Sequence, residues 1–165
     1  MKDLKKEVLE AQTKGDIAEL YMLEQRAQDE LSEDELMGYY ANILDLALER
    51  LTDVLEAKIR MDMGDVRDFA TLRALYEYAM EHYSAGSLHD ASALFEILGG
   101  LSNNETFSNA MEAHRIFVDL EISMDQFINK MADIKQVEST GSFYINAFTK
   151  EAQKLLDNAK TATEK

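Results

Sequence analysis

Apolar residues recur at spacings of three and four along almost the whole chain, and they are interrupted by glycines and capping residues but by no proline. This pattern predicts helix throughout. A first helix over about residues 3–13 ends before Gly15, and Asp16 with Glu19 three residues on forms a capping box that opens a second, to about Leu31. Ser32 and Glu35 repeat the device. From there Leu36, Tyr39, Tyr40, Ile43, Ala47, Leu51, Val54, Leu55 and Ile59 keep helical spacing as far as Gly64, as one long helix or as two joined near Thr52.

Helices of about 66–84 and 88–98 come next, turned at Gly86, with Ser87 capping the second and Gly99-Gly100 stopping it. Asn103-Asn104 open a helix that carries Phe107, Ala110, Met111, His114 and Phe117. Ser123 with Gln126 caps another, where Ile122 and Phe127 stand at hydrophobic-staple positions. After a break at Thr140-Gly141, a final helix of about 143–159 is expected to bury Phe143, Ala147, Phe148, Ala152, Leu155 and Leu156. No Pro-, Gly- or Ser-rich linker divides the chain. The expected fold is all-α, an array of about seven or eight antiparallel helices in one domain over residues 1–165. Its parts are acidic N-terminal helices (1–64), hairpins (65–137) and a terminal helix with a polar tail (142–165).

Residues 75–101 describe a packed hairpin: Ala79 and Ala91 are small where two helices would cross, and Tyr83, Leu88 and Phe95 are large where the pair needs filling. A step of 34 residues forward places Ala79 on Ala113, Tyr83 on Phe117 and Leu88 on Ile122, but Ala91 on Asp125 and Phe95 on Asn129. The pattern is therefore one good unit with degenerate neighbours. The set Leu75, Ala79, Tyr83, Gly86, Leu88, Ala91 and Phe95 resembles a tetratricopeptide repeat. More narrowly, LYEYAMEHYSAGSLHDASALFEIL resembles the first repeat of the type III secretion chaperones that hold hydrophobic translocator proteins. The resemblance implies a cytoplasmic, non-enzymatic chaperone with a concave groove for an extended client segment.

In a hairpin of that kind the first helix lines the groove, which singles out Tyr76, Met80 and Tyr83, and on the following unit Phe107, Ala110, His114 and Phe117. The same rings serve a packed core equally well. Met61, Met63, Met80, Met111, Met124 and Met131 either line an adaptable surface or fill the interior.

Composition narrows the partner. The chain carries 32 acidic and 17 basic side chains, a net charge of −15, with the acidic excess spread over residues 1–141 and a slight basic excess beyond. Such a surface repels phosphate backbones and anionic lipid, so nucleic acid and membranes are not expected partners. Without cysteine there is no disulfide, thiol nucleophile or thiolate metal site. His82, His89 and His114 have no Glu or Asp placed to complete a helical ligand pair, and Gly99-Gly100 lacks the context of a phosphate loop. No catalytic residue, metal or cofactor is expected. A protein or peptide client held in the helical groove is the leading reading, and a structural protein acting by self-association as a homo-oligomer is the alternative.

Overall fold

The computed structural model describes residues 3–163. The fold is all-α, with ten α-helices among the described residues, in two compact units that divide after Leu75, inside the fifth helix.

In the first unit, α1 (Leu4–Lys14) is capped by the Asp3 side chain and stopped by Gly15 in the left-handed region at φ 66°, and it buries Leu4, Val8 and Ala11. The segment expected to be one helix up to Leu31 is two, α2 (Ile17–Met22) and α3 (Glu24–Glu30). Both Glu19 and Leu20 carbonyls accept from the Leu23 N–H, a tight turn that ends α2 and sends Leu23 inward. The Ser32/Glu35 capping box is present and opens α4 (Glu33–Ala57), a single helix of 25 residues. Its buried stripe of Tyr39, Ile43, Ala47, Leu51 and Val54 runs at four and three, so one face packs while the other stays wet. It ends at Lys58, in the left-handed region, short of the expected Gly64. The Tyr39 hydroxyl donates to the Leu20 carbonyl, and Arg26 pairs with Glu7 at 2.6 Å. Asp65 accepts from the Arg67 and Asp68 amides at the start of α5 (Val66–Ser84).

The second unit begins with the remainder of α5. Gly86, at φ 81°, turns the chain into α6 (Leu88–Leu101), and Asn104 caps α7 (Glu105–Asp119) through the Phe107 amide. Gly99-Gly100 do not stop α6, which runs through them. Gly99 lies instead where α7 comes close: a Cβ there would stand 3.7 Å from the Ser108 carbonyl oxygen and 3.8 Å from Met111 Cβ. Ser92 donates to Asp119 at 2.6 Å at the other end, so α6 and α7 are antiparallel. The Ser123/Gln126 box opens α8 (Met124–Gln126), which widens into a π turn over Phe127–Met131 before α9 (Ile134–Thr140).

Residues 142–149 depart furthest from expectation. They are not the start of a final helix but an irregular segment that bends at Phe143 and Tyr144, and α10 (Lys150–Thr163) begins only after Thr149, whose hydroxyl accepts from the Ala152 amide. Ala132 and Phe148 form an antiparallel bridge, with Asp133 N–H donating to Ala147 at 2.9 Å and Thr149 N–H to Met131 at 2.8 Å. These bonds, with that of the Ile145 N–H to the Tyr76 hydroxyl, satisfy part of the backbone that a helix would have satisfied internally.

Candidate functional site

Of the seven residues expected to line a groove, six are buried: Tyr76, Tyr83, Phe107, Ala110, His114 and Phe117, with Met80 half-buried. The stripe is not an open groove. It is covered by the second unit's own side chains, and the two halves of the stripe are covered differently.

Tyr83 turns toward the α6 and π-turn side. Its ring meets Phe95 and Phe127 at 6.3 and 5.6 Å, and its hydroxyl donates to the Ile122 carbonyl. Burial pushes the Tyr83 phenol up to about 12. This is core packing, with the polar end of the ring tied to the loop before α8.

Tyr76, Phe107, His114 and Phe117 instead carry the segment 142–149. Phe143 lies 6.0 Å from the Tyr76 ring and 5.9 Å from Phe107, Tyr144 stands edge-on to Phe107 at 5.0 Å, and Phe148 reaches His114 at 6.0 Å and Phe117 at 5.8 Å. The offset and edge-to-face arrangements are those aromatic quadrupoles favour. Tyr144 and Ile145 are buried, whereas Phe143 and Phe148 are only partly covered. The segment lies on the face named from the sequence.

A short polar chain runs through this apolar contact. Nδ1 of His114 lies 2.6 Å from the Ala110 carbonyl oxygen, which only accepts, so Nδ1 carries the proton and Nε2 is the acceptor. Tyr76 donates to that Nε2 at 2.9 Å and accepts from the Ile145 N–H at 3.1 Å. Burial pulls the imidazole down to about 4, against a smaller opposing effect of the Ala110 hydrogen bond. It also raises the Tyr76 phenol well above its ordinary value. Both groups are neutral at physiological pH and both imidazole nitrogens are engaged, so the pair orients a peptide backbone and has no free lone pair for base catalysis.

The sequence reading missed the non-helical course of Phe143, Tyr144, Ile145 and Phe148. A signal was present, since three consecutive side chains of high strand propensity between Gly141 and the cap Thr149 disfavour helix. Helical spacing from Phe143 through Ala147 and Phe148 to Ala152 outweighed it. Of the six methionines considered, Met61, Met111 and Met131 are buried. Met63 helps line a separate surface groove of about 540 Å³ in the first unit, around which Met22 and Val66 are 78% and 71% exposed. There Arg73 lies 4.0 Å over the Tyr21 ring and pairs with Glu24 at 3.1 Å.

Among the described residues, no three His, Asp or Glu side chains converge to hold a metal ion, and no helix is long and apolar enough to cross a membrane. Compared with protein-family models, curated proteins and solved structures, the chain matches none.

Proposed function

We propose that this chain is a non-enzymatic protein-binding adaptor or chaperone, acting in the cytoplasm, whose second unit holds an extended client segment on the face formed by Tyr76, Phe107, His114 and Phe117. The observation that carries the reading is that this face already holds a non-helical peptide segment, the chain's own residues 142–149, by aromatic contacts and by the Ile145 amide on Tyr76. Aromatic anchors for side chains combined with hydrogen bonds to main chain are the general means by which proteins capture extended segments. The neutral Tyr76–His114 pair suits that task, because it fixes a backbone amide without placing a charge in a dry site. A chaperone for a type III secretion translocator is the narrower form of the same proposal, resting on the resemblance of residues 75–101.

Site-specific photo-crosslinking in cells tests this. A photoreactive phenylalanine at Phe143 or at Met80, both at the margin of the face, is expected to capture one and the same protein, and the same group at exposed Met37 of α4 is expected to capture none of it. Absence of any adduct at Phe143 and Met80, or equal capture at Met37, overturns the adaptor reading. Adducts to a second copy of the chain replace it with self-association.

A further inference from the structure

We infer that residues 142–149 are an exchangeable resident segment: it sits where the client segment binds and leaves when the client arrives. The client therefore carries two adjacent aromatics and an aliphatic residue, with a further aromatic three positions on. The inference rests on the adaptor reading and adds to it the class of client and the way access is controlled.

Three observations carry it. The segment is held by few backbone bonds, the Ile145 N–H to the Tyr76 hydroxyl, the Thr149 N–H to Met131 and the Asp133 N–H to Ala147, and only Thr149, at its end, also enters a helix, as acceptor for Gln153. Bonds of that kind open together without unravelling α5 or α7. The segment is also bounded by natural joints: Gly141, at φ 66°, ends α9 immediately before it, and Thr149 caps α10 immediately after it. The third observation is that the resident fits its place imperfectly. Asn146 is tethered through its amide nitrogen to Ser142 at 3.1 Å, yet its Oδ1 is buried with no hydrogen-bond partner. A buried acceptor left unpaired gives up its hydration for nothing, so a competing segment with an apolar residue at that position holds the same place more tightly.

The anchors define the competitor. Phe107 and Tyr76 receive the first two rings, Tyr76 orients the amide of the third residue, and Phe117 with His114 receives the last ring.

The test uses the full chain and a labelled synthetic peptide of residues 141–150. In the unmodified chain, hydrogen exchange is expected to show the Ile145 and Thr149 amides at least about 100-fold less protected than the amides of Phe117 and Val118 in α7. Weakening the resident with Phe148→Ser raises the fraction of open sites, so the peptide is expected to bind that variant at least about 10-fold more tightly than the parent. A peptide of the same composition in scrambled order is expected to bind neither. Equal protection of the segment and α7 overturns the inference, and it does so in the parent, whatever the variant's fold. Equal binding of ordered and scrambled peptides overturns it too. Client capture at Met80 with uniform protection refutes exchange and leaves the adaptor reading standing, whereas peptide exchange with no captured client upholds exchange and removes that reading.

Discussion

Tyr76 and His114, on two different helices and 38 residues apart, share a hydrogen bond of 2.9 Å in which the phenol donates to Nε2 of a neutral imidazole. Each partner is completed by main chain: Ala110 accepts from His114, and Ile145 donates to Tyr76. Two polar side chains thus lie inside an aromatic interior without an unmet hydrogen bond. The relationship explains why a histidine stands at a fully buried position, and it ties an otherwise loosely held segment to the helices.

Removing one oxygen atom should therefore cost more at Tyr76 than at Tyr83. Tyr76→Phe orphans both the His114 Nε2 acceptor and the Ile145 N–H donor in a dry site, a loss on the order of 2–6 kcal/mol at about 1–3 for each orphaned group. Tyr83→Phe removes one part-buried bond to the Ile122 carbonyl and is expected to cost about 1 kcal/mol. Urea unfolding of the two variants beside the parent measures the difference. Equal losses would show that the Tyr76 network adds nothing beyond ring packing.

The same network gives stability a pH dependence of definite sign. His114 has a folded pKa of about 4 against an ordinary value of 6.5, so between those limits the unfolded chain binds the proton and the folded chain does not. Stability from this group is complete above pH 6.5 and is lost as pH falls toward 4, reaching about 1.4 kcal/mol of loss at pH 5.5. His114→Gln, which keeps an acceptor for Tyr76, is expected to be less stable than the parent at pH 7.5 but to lose about 1.4 kcal/mol less between pH 7.5 and 5.5. The other two histidines are present in both proteins and cancel. Parallel pH profiles would place His114 outside the group of buried neutral side chains.

How much of this was legible in the sequence depended on whether the deciding interaction was local. The caps at Asp16, Ser32, Asn104 and Ser123 were readable because a cap bonds to an amide two or three residues away, and the structure contains each of those bonds. The buried ring at Phe117 and the small residue at Ala91 followed from helical spacing. The residues of the Tyr76–His114 face were also found, but their role as a seat for the chain's own residues 142–149 was not. Ile145 reaches Tyr76 across 69 residues, and no spacing rule carries a contact that distant. Gly99-Gly100 failed as a helix stop because α6 runs through both to Leu101, with Gly99 within ordinary van der Waals range of α7.

The glycines separate into two kinds, and alanine tells them apart. At Gly99 an added methyl would make only ordinary contacts at 3.7 and 3.8 Å, so Gly99→Ala is expected to be neutral or to stabilise by up to about 1 kcal/mol through helix propensity. Gly86 and Gly141 have φ of 81° and 66°, and alanine in the left-handed region costs about 1–2 kcal/mol whatever space surrounds it. Thermal melts of the three single variants should move in these opposite directions. A destabilised Gly99→Ala would mean that α6 and α7 are already as close as their backbones allow.

The packing of α6 makes the last test. Ala91 is completely buried, with nothing left exposed to solvent, and it lies one turn before the buried ring of Phe95 on the same face. Leucine at that position adds three heavy atoms where there is no room, forcing shifts that cost about 1–3 kcal/mol. Ser92 is unsuitable as a control because its hydroxyl donates to Asp119 and joins α6 to α7. Ala93, two residues along and exposed, is the right one: the same substitution there gains a longer exposed side chain and is expected to change stability by no more than about 0.5 kcal/mol. Denaturant midpoints for Ala91→Leu and Ala93→Leu, compared at unchanged slope, isolate the packing effect from any change in the unfolded chain. If Ala91→Leu unfolds at the parent's midpoint, α6 is not packed closely at that residue, and the second unit is looser than its buried aromatic side chains indicate.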